Sequence, residues 1–258
     1  MARSASQLDP AVDAAPGATV DPAEIARFAA MATEWWSPNG KFRPLHRLNP
    51  VRLAYIRDHL CAHFKRDAKR PKPLSGLRVL DIGCGGGLIA EPLTRLGATV
   101  VGLDASATNI GIARTHAAES HLAIDYRHGT AEDLAEQREI FDVVLALEIV
   151  EHVADLETFC ASAAALTKPG GALFVATLNR TPQSYLLAIV GAEYVLRWLP
   201  VGTHDWRRFV RPSELGAALR PHGVALRDLA GISYNLLADT WRAGRDLAVN
   251  YMVFAVKG

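Results

Sequence analysis

Cysteine is scarce: Cys61, Cys84 and Cys160 are the only three in 258 residues. They are odd in number, far apart and without a CxxC pair, which excludes a disulfide framework or a zinc knuckle and points to a reducing compartment. An excess of either charge is also missing. With 28 Lys+Arg against 27 Asp+Glu the net charge is +1, so the basic stripe that phosphate backbones require is absent and no nucleic-acid partner is expected. No apolar run approaches the roughly 20 residues needed to span a bilayer. Residues 1–20 carry no signal-peptide-like apolar stretch, and Asp9 and Asp13 argue against a transit peptide. A cytoplasmic protein is expected, with peripheral attachment to a membrane left open.

What remains is an ordinary α/β composition, 50% hydrophobic, long enough to bury a sizeable core. Residues 1–20 read as a flexible lead-in and 21–258 as one domain. Asp21-Pro22 is a helix-start signal, followed by Ile25, Phe28, Ala29 and Ala32 at helical spacing up to Trp35 and Trp36. A second helix is expected from about Asn49 to Phe64, before the basic, proline-containing linker KRDAKRPKPLSG that closes the 21–76 region. From Leu77 the runs RVLDI, ATVVGLD, IDYRH, FDVVLALE and GALFVATLN alternate with helical stretches, which implies βαβ units and a parallel sheet. Residues 180–212 interrupt this rhythm. It resumes with a helix near Pro212–Leu219 and strands near Leu226–Ala230 and Asn250–Val256.

The sharpest motif is Val79-Leu80-Asp81-Ile82-Gly83-Cys84-Gly85-Gly86-Gly87, a buried strand entering a glycine-rich turn. Glycines at a strand's carboxyl end permit positive φ and close approach of a ligand to backbone amides. Two phosphate readings are weakened: Leu88 stands where a dinucleotide fingerprint needs its third glycine, and no Gly-Lys-Ser/Thr follows. Asp104 ends the next strand, where a carboxylate can accept both hydroxyls of a ribose. Gly129-Thr130-Ala131-Glu132-Asp133-Leu134 follows the third strand, and Lys168-Pro169-Gly170-Gly171 precedes the fifth. In this order and spacing the four features resemble the class I S-adenosylmethionine (SAM)-dependent methyltransferases. That resemblance implies a Rossmann-like fold, a mostly parallel seven-stranded sheet with helices on both faces, N-terminal helices and an inserted helical segment. It also places Gly83 and Gly85 near the methionine part of SAM, Asp104 on the ribose, Thr130, Ala131 and Glu132 near adenine, and Leu147 beside the methyl donor.

After the fourth strand, Glu148, Glu151 and His152 stand at i, i+3 and i+4. If a helix begins there they share one face. Two carboxylates and an imidazole suit a hard divalent cation such as Mg²⁺, which would acidify a bound hydroxyl. Glu148 or His152 could instead serve as a general base, or all three could be scaffolding at a helix start.

The match then narrows. Trp35-Trp36, Phe42 to Leu53, Glu148 to His152, Thr177 to Arg180, Val190 to Tyr194, Gly202 to Asp205 and Val249 to Met252 resemble the O-methyltransferases of ubiquinone biosynthesis. The resemblance covers nearly everything from Asp21 onward. It implies polyprenylated catechol and quinol acceptors, namely a 3-polyprenylbenzene-1,2-diol and 3-demethylubiquinol. By it Arg52 contacts the cofactor, Glu148, Glu151 and His152 hold a divalent cation, and a quinone-biosynthesis complex is a possible assembly. Another small phenolic acceptor, or a non-catalytic SAM-binding subunit of such a complex, stays as the alternative.

The 180–212 segment carries Tyr185, Leu186, Leu187, Ile189, Val190, Tyr194, Val195, Leu196, Trp198 and Leu199, with Arg197, Arg207, Arg208 and Arg211 nearby. Apolar and aromatic residues beside arginines suit an anionic membrane surface on the inner face of the membrane, or a lid over the site. His204 and Asp205 follow directly and are candidates for the acceptor pocket.

Overall fold

The computed structural model describes residues 19–187, 205–235 and 240–258. The chain opens with α1 (Pro22–Met31), where Asp21 caps the helix by accepting from the Ala23 amide at 3.0 Å and Pro22 occupies the first turn. A 3-10 turn over Ala32–Glu34 leads to α2 (Arg43–His63). This helix begins about six residues before the expected Asn49. Pro44 sits in its first turn, where no amide donor is needed, and Pro50 is tolerated inside it.

The βα units follow as β1 (Arg78–Ile82), α3 (Ala90–Arg95), β2 (Thr99–Asp104), α4 (Ala107–Glu119), β3 (Asp125–His128), α5 (Ala131–Glu136), β4 (Phe141–Leu147), α6 (Leu156–Leu166) and β5 (Thr167–Leu178). A single turn, α7 (Pro182–Ser184), precedes the undescribed stretch, and α8 (Pro212–Leu219), β6 (Val224–Asn235), β7 (Thr240–Gly244) and β8 (Asn250–Lys257) complete the chain.

The sheet has eight strands in the order β3-β2-β1-β4-β5-β8-β6-β7. Its first five strands are parallel, whereas β8, β6 and β7 run antiparallel to their neighbours. The expected seven strands are therefore one too few. The strand seen near Leu226–Ala230 continues to Asn235, and Thr240–Gly244 folds back on it as β7. Both additions are short, half-exposed and rich in polar residues, so they lack the apolar run that marks the other strands.

Successive residues of the central strands point to opposite faces. Val79, Val143 and Phe174 meet α2, α3 and α4 on one side, while Leu80, Val144 and Leu173 meet α5, α6 and α8 on the other. Burial on both faces explains why these strands read as unbroken apolar runs. Chain order reverses between β2-β1 and β4, and open α/β sheets place their ligand crevice at such a point, outside the carboxyl ends of the strands. Among the described residues no helix is long and apolar enough to cross a membrane.

Candidate active site

A cavity of about 650 Å³ opens at the carboxyl ends of β1, β2 and β4. Its floor is the turn after β1. Gly83 (φ 71°) and Gly85 (φ 54°) adopt left-handed backbone, which the absence of a Cβ permits. Their position is fixed from β2: the Gly83 and Cys84 amides donate to the Leu103 carbonyl at 2.8 and 3.0 Å. Asp104 accepts from the Gly85 amide at 2.9 Å through Oδ2, and from the Ser106 amide at 2.8 Å and Asn109 Nδ2 at 3.2 Å through Oδ1. Burial pushes the Asp104 carboxyl up, and these hydrogen bonds oppose the rise.

The N-terminal segment covers this floor. A Cβ on Gly85 or Gly86 would run into the Trp35 ring, which stacks on Phe42 at 3.6 Å and donates to Asn109 Oδ1 at 3.0 Å. Trp36 donates to the Gly86 carbonyl at 2.9 Å and stacks on His116 at 3.4 Å. Thr19 donates to Glu132 at 2.7 Å, Val20 bridges to Val153, Asp21 pairs with Arg208 at 3.0 Å and Glu24 pairs with His152 at 2.9 Å. The strand-like strap and α1 thus close one side of the cavity.

Every cofactor candidate from the sequence lines the cavity: Arg52, Gly83, Gly85, Asp104, Thr130, Ala131, Glu132 and Leu147. Thr130 also caps α5 in a reciprocal box with Asp133. Two groups stand out by what they lack. Asp81 is buried with Oδ2 unpartnered, and burial, reinforced by the Asp104 charge, pushes its carboxyl up to about 7. Arg52 is 4% exposed, binds Glu148 through Nη2, and has its Nε unpartnered. Sequence reasoning passed over Asp81, although its place one residue before the Ile82-Gly83 turn was the available signal. It also missed Trp35 and Glu24, whose roles depend on contacts far along the chain.

The residues after β4 do not form the expected helix. Residues 150–152 are turn, Glu148 takes a left-handed backbone (φ 55°), and α6 starts only at Leu156 behind its cap Asp155. The shared face of Glu148, Glu151 and His152 is consequently lost. Glu148 lies at the cavity wall against Arg52, and His152 is turned to Glu24. Glu151 is buried, accepts from Thr177 at 2.7 Å and keeps Oε1 unpartnered. Its carboxyl is pushed well above the ordinary range, first by burial, then by the charge of Glu148. Among the described residues no group of three or more His, Cys, Asp or Glu side chains is placed to hold a metal ion. What the fold brings together is the Glu148–Glu151 pair alone. Asp205 caps the 3-10 turn Trp206–Arg208; His204, Arg197 and residues 188–199 of the inserted segment lie outside the described residues.

A family model described as a methyltransferase domain matches residues 80–175. The chain is 60% identical over 239 residues to the ubiquinone biosynthesis O-methyltransferase of Chelativorans sp. (strain BNC1), covering 93% of this chain and 94% of that protein. It belongs to the ubiquinone biosynthesis O-methyltransferases. The namesake protein of Brucella anthropi is likewise 60% identical, over 92% of this chain and 96% of its own length. Among solved structures, magnesium protoporphyrin IX methyltransferase from Synechocystis PCC 6803 with bound SAH aligns at a TM-score of 0.56 and 19% identity, over 80% of this chain and 82% of that one. That likeness shows the fold. A member of this family is a SAM-dependent O-methyltransferase, and the cavity over the glycine turn is the place such an enzyme needs.

Proposed function

We propose that the chain methylates a phenolic oxygen of polyprenylated catechols and quinols, with 3-demethylubiquinol and 3-polyprenylbenzene-1,2-diol as acceptors. The observation that carries the SAM part is a pair of unpartnered buried polar atoms on two residues that line the cavity. Asp81 Oδ2 is a buried acceptor without a donor, and Arg52 Nε a buried donor without an acceptor. A buried polar atom left unpaired costs about 1–3 kcal/mol, and an amino-acid ligand end, ammonium and carboxylate together, would relieve both. Gly83 and Gly85 give backbone access to that end, Asp104 is placed to accept ribose hydroxyls, and Thr130, Ala131 and Glu132 border the adenine side. Leu147 faces the methyl donor without adding charge.

SAM supplies an electrophilic methyl group, so the protein's task is alignment and deprotonation of the acceptor. As the new C–O bond forms and the C–S bond breaks, the sulfur keeps the electron pair and the phenol's proton passes to the carboxylate at the cavity wall, Glu148. The Glu148–Glu151 pair, with its unpartnered Oε1, also fits the one or two carboxylates by which Mg²⁺ is commonly held. Such an ion would acidify a catechol oxygen when bound. His152, held by Glu24, acts as a positioning residue for the wall rather than as a ligand.

The exposed apolar triplet Tyr185 (50%), Leu186 (59%) and Leu187 (50%) supports contact with an anionic membrane surface. Leu187 also lines the cavity, so contact through this triplet would bring the cavity beside the membrane, and Arg207 and Arg208 are exposed. The test is methyl transfer from labelled SAM to a short-chain 3-demethylubiquinol and to the matching catechol, with Mg²⁺ and with EDTA. Transfer to both is expected, reduced by EDTA. No transfer to either, with SAM still bound, overturns the acceptor assignment.

A further inference from the structure

The cavity is larger than its nucleotide-facing floor and continues along an apolar wall that the reaction does not use. One side is α2, presenting Leu45 and Leu48; the other is the β6–β7 hairpin, presenting Ile232, Tyr234 and Trp241. The hairpin's register sets this face: Tyr234 stands directly opposite Trp241 and Ile232 opposite Ala243, and Ser233, which also reaches the cavity lining, stands opposite the exposed Arg242. The Tyr234 and Trp241 rings lie 5.0 Å apart at 42°. Of the charged groups nearby, Lys41 pairs with Glu34 at 2.9 Å, Asp246 accepts from the Ala248 amide at 2.9 Å, and the Arg47 guanidinium lies over the Tyr234 ring, 5.7 Å from its centroid. All five wall side chains line the cavity, Leu48 and Ile232 at the edge of the buried core, and none of them carries a charge. A neutral, flexible hydrocarbon suits such a wall; a polar or anionic group would lose its hydration there without replacement.

We propose that the groove between α2 and the β6–β7 hairpin is the binding channel for the acceptor's polyprenyl tail, with Trp241 as its principal specificity determinant. The inference rests on the acceptor assigned above. In that acceptor the prenyl chain is attached to the ring that must sit beside Glu148, so the tail has to leave the reaction centre along a wall, and this wall is apolar. The Tyr234–Trp241 pair, held in register across two strands, offers a rigid edge against which the first branched units can settle.

The experiment compares kcat/KM for catechol acceptors carrying no, one or two isoprene units, in wild type, Trp241→Ala, Trp241→Phe and Tyr234→Ala. Wild type is expected to prefer the longer tail. The ratio of two-unit to tail-less acceptor should fall by about tenfold in Trp241→Ala, the scale of discrimination that apolar pockets achieve, and should recover in Trp241→Phe. Leu45→Trp, which narrows the same groove from the facing helix, should lower the ratio as well and decides the matter if truncation of Trp241 prevents folding. An unchanged ratio in Leu45→Trp and in the folded Ala variants, with transfer intact, overturns the channel and leaves the proposed function standing. Absence of transfer to every acceptor in wild type overturns the acceptor reading itself.

Discussion

Arg52 of α2 and Glu148 at the end of β4 are joined by an ion pair across 96 positions of sequence. The pair ties α2 to the wall of the cavity. Arg52→Ala is expected to weaken SAM binding by about 30-fold, roughly the 2 kcal/mol of a charge-assisted hydrogen bond, and to lower the melting temperature. Titration calorimetry and thermal unfolding read the two effects separately; an unaltered SAM affinity would remove Arg52 from the ligand site.

Glu148→Gln and Glu151→Gln should each lose at least 100-fold in kcat while SAM affinity stays within a few-fold, on the order expected for removing a proton acceptor or an ion's ligand. His152→Ala should lose about tenfold, because it acts through the wall it shares with Glu24. Single-turnover transfer measured beside SAM titration separates these outcomes. A full loss in His152→Ala, equal to that in Glu148→Gln, would make the imidazole a direct participant.

Asp81 gives a pH dependence with a definite sign. Its carboxyl rises from an ordinary 3.8 to about 7 in the folded protein, so the folded state holds the proton more tightly. Its contribution to stability is complete below the ordinary value and is lost as the pH rises through about 7. Urea midpoints of the ligand-free protein should fall from pH 5 to pH 7.5, and Asp81→Asn should flatten that slope; Glu151, also raised, adds to the slope in both proteins. Over the same interval SAM affinity should increase with pH, because an ammonium partner favours the ionised Asp81.

Leu186→Asp should reduce co-flotation with vesicles containing anionic lipid by at least several-fold, with little effect on transfer to a short, soluble acceptor. Leu186 is 59% exposed, so the substitution leaves the core alone. Undiminished flotation would remove the membrane role from this triplet.

The sequence displays β1 to β5, the glycine turn and Asp104 because each is written locally: an apolar run of strand length, then punctuation by glycine or an acid. The Glu148–Glu151–His152 group was misjudged for the opposite reason. Helical spacing there is real in the sequence, yet the backbone turns at Glu148 and the helix waits for Asp155, which accepts from the Glu157 amide at 2.9 Å. His152 then meets Glu24, a partner 128 positions away that no local pattern announces. The eighth strand was hidden because Thr240–Gly244 carries a single large apolar residue, Trp241, and owes its place to pairing with β6.

The strap that closes the cavity also orders events during synthesis. Residues Thr19 to Glu24 leave the ribosome well before their partners Glu132, His152, Val153 and Arg208. For most of translation the strap has no seat. Trp35 and Trp36 meet the glycine turn, Asn109 and His116 earlier, so it is the strap and the start of α1 that wait longest, and the period before residue 208 emerges is when this chain is most in need of a chaperone.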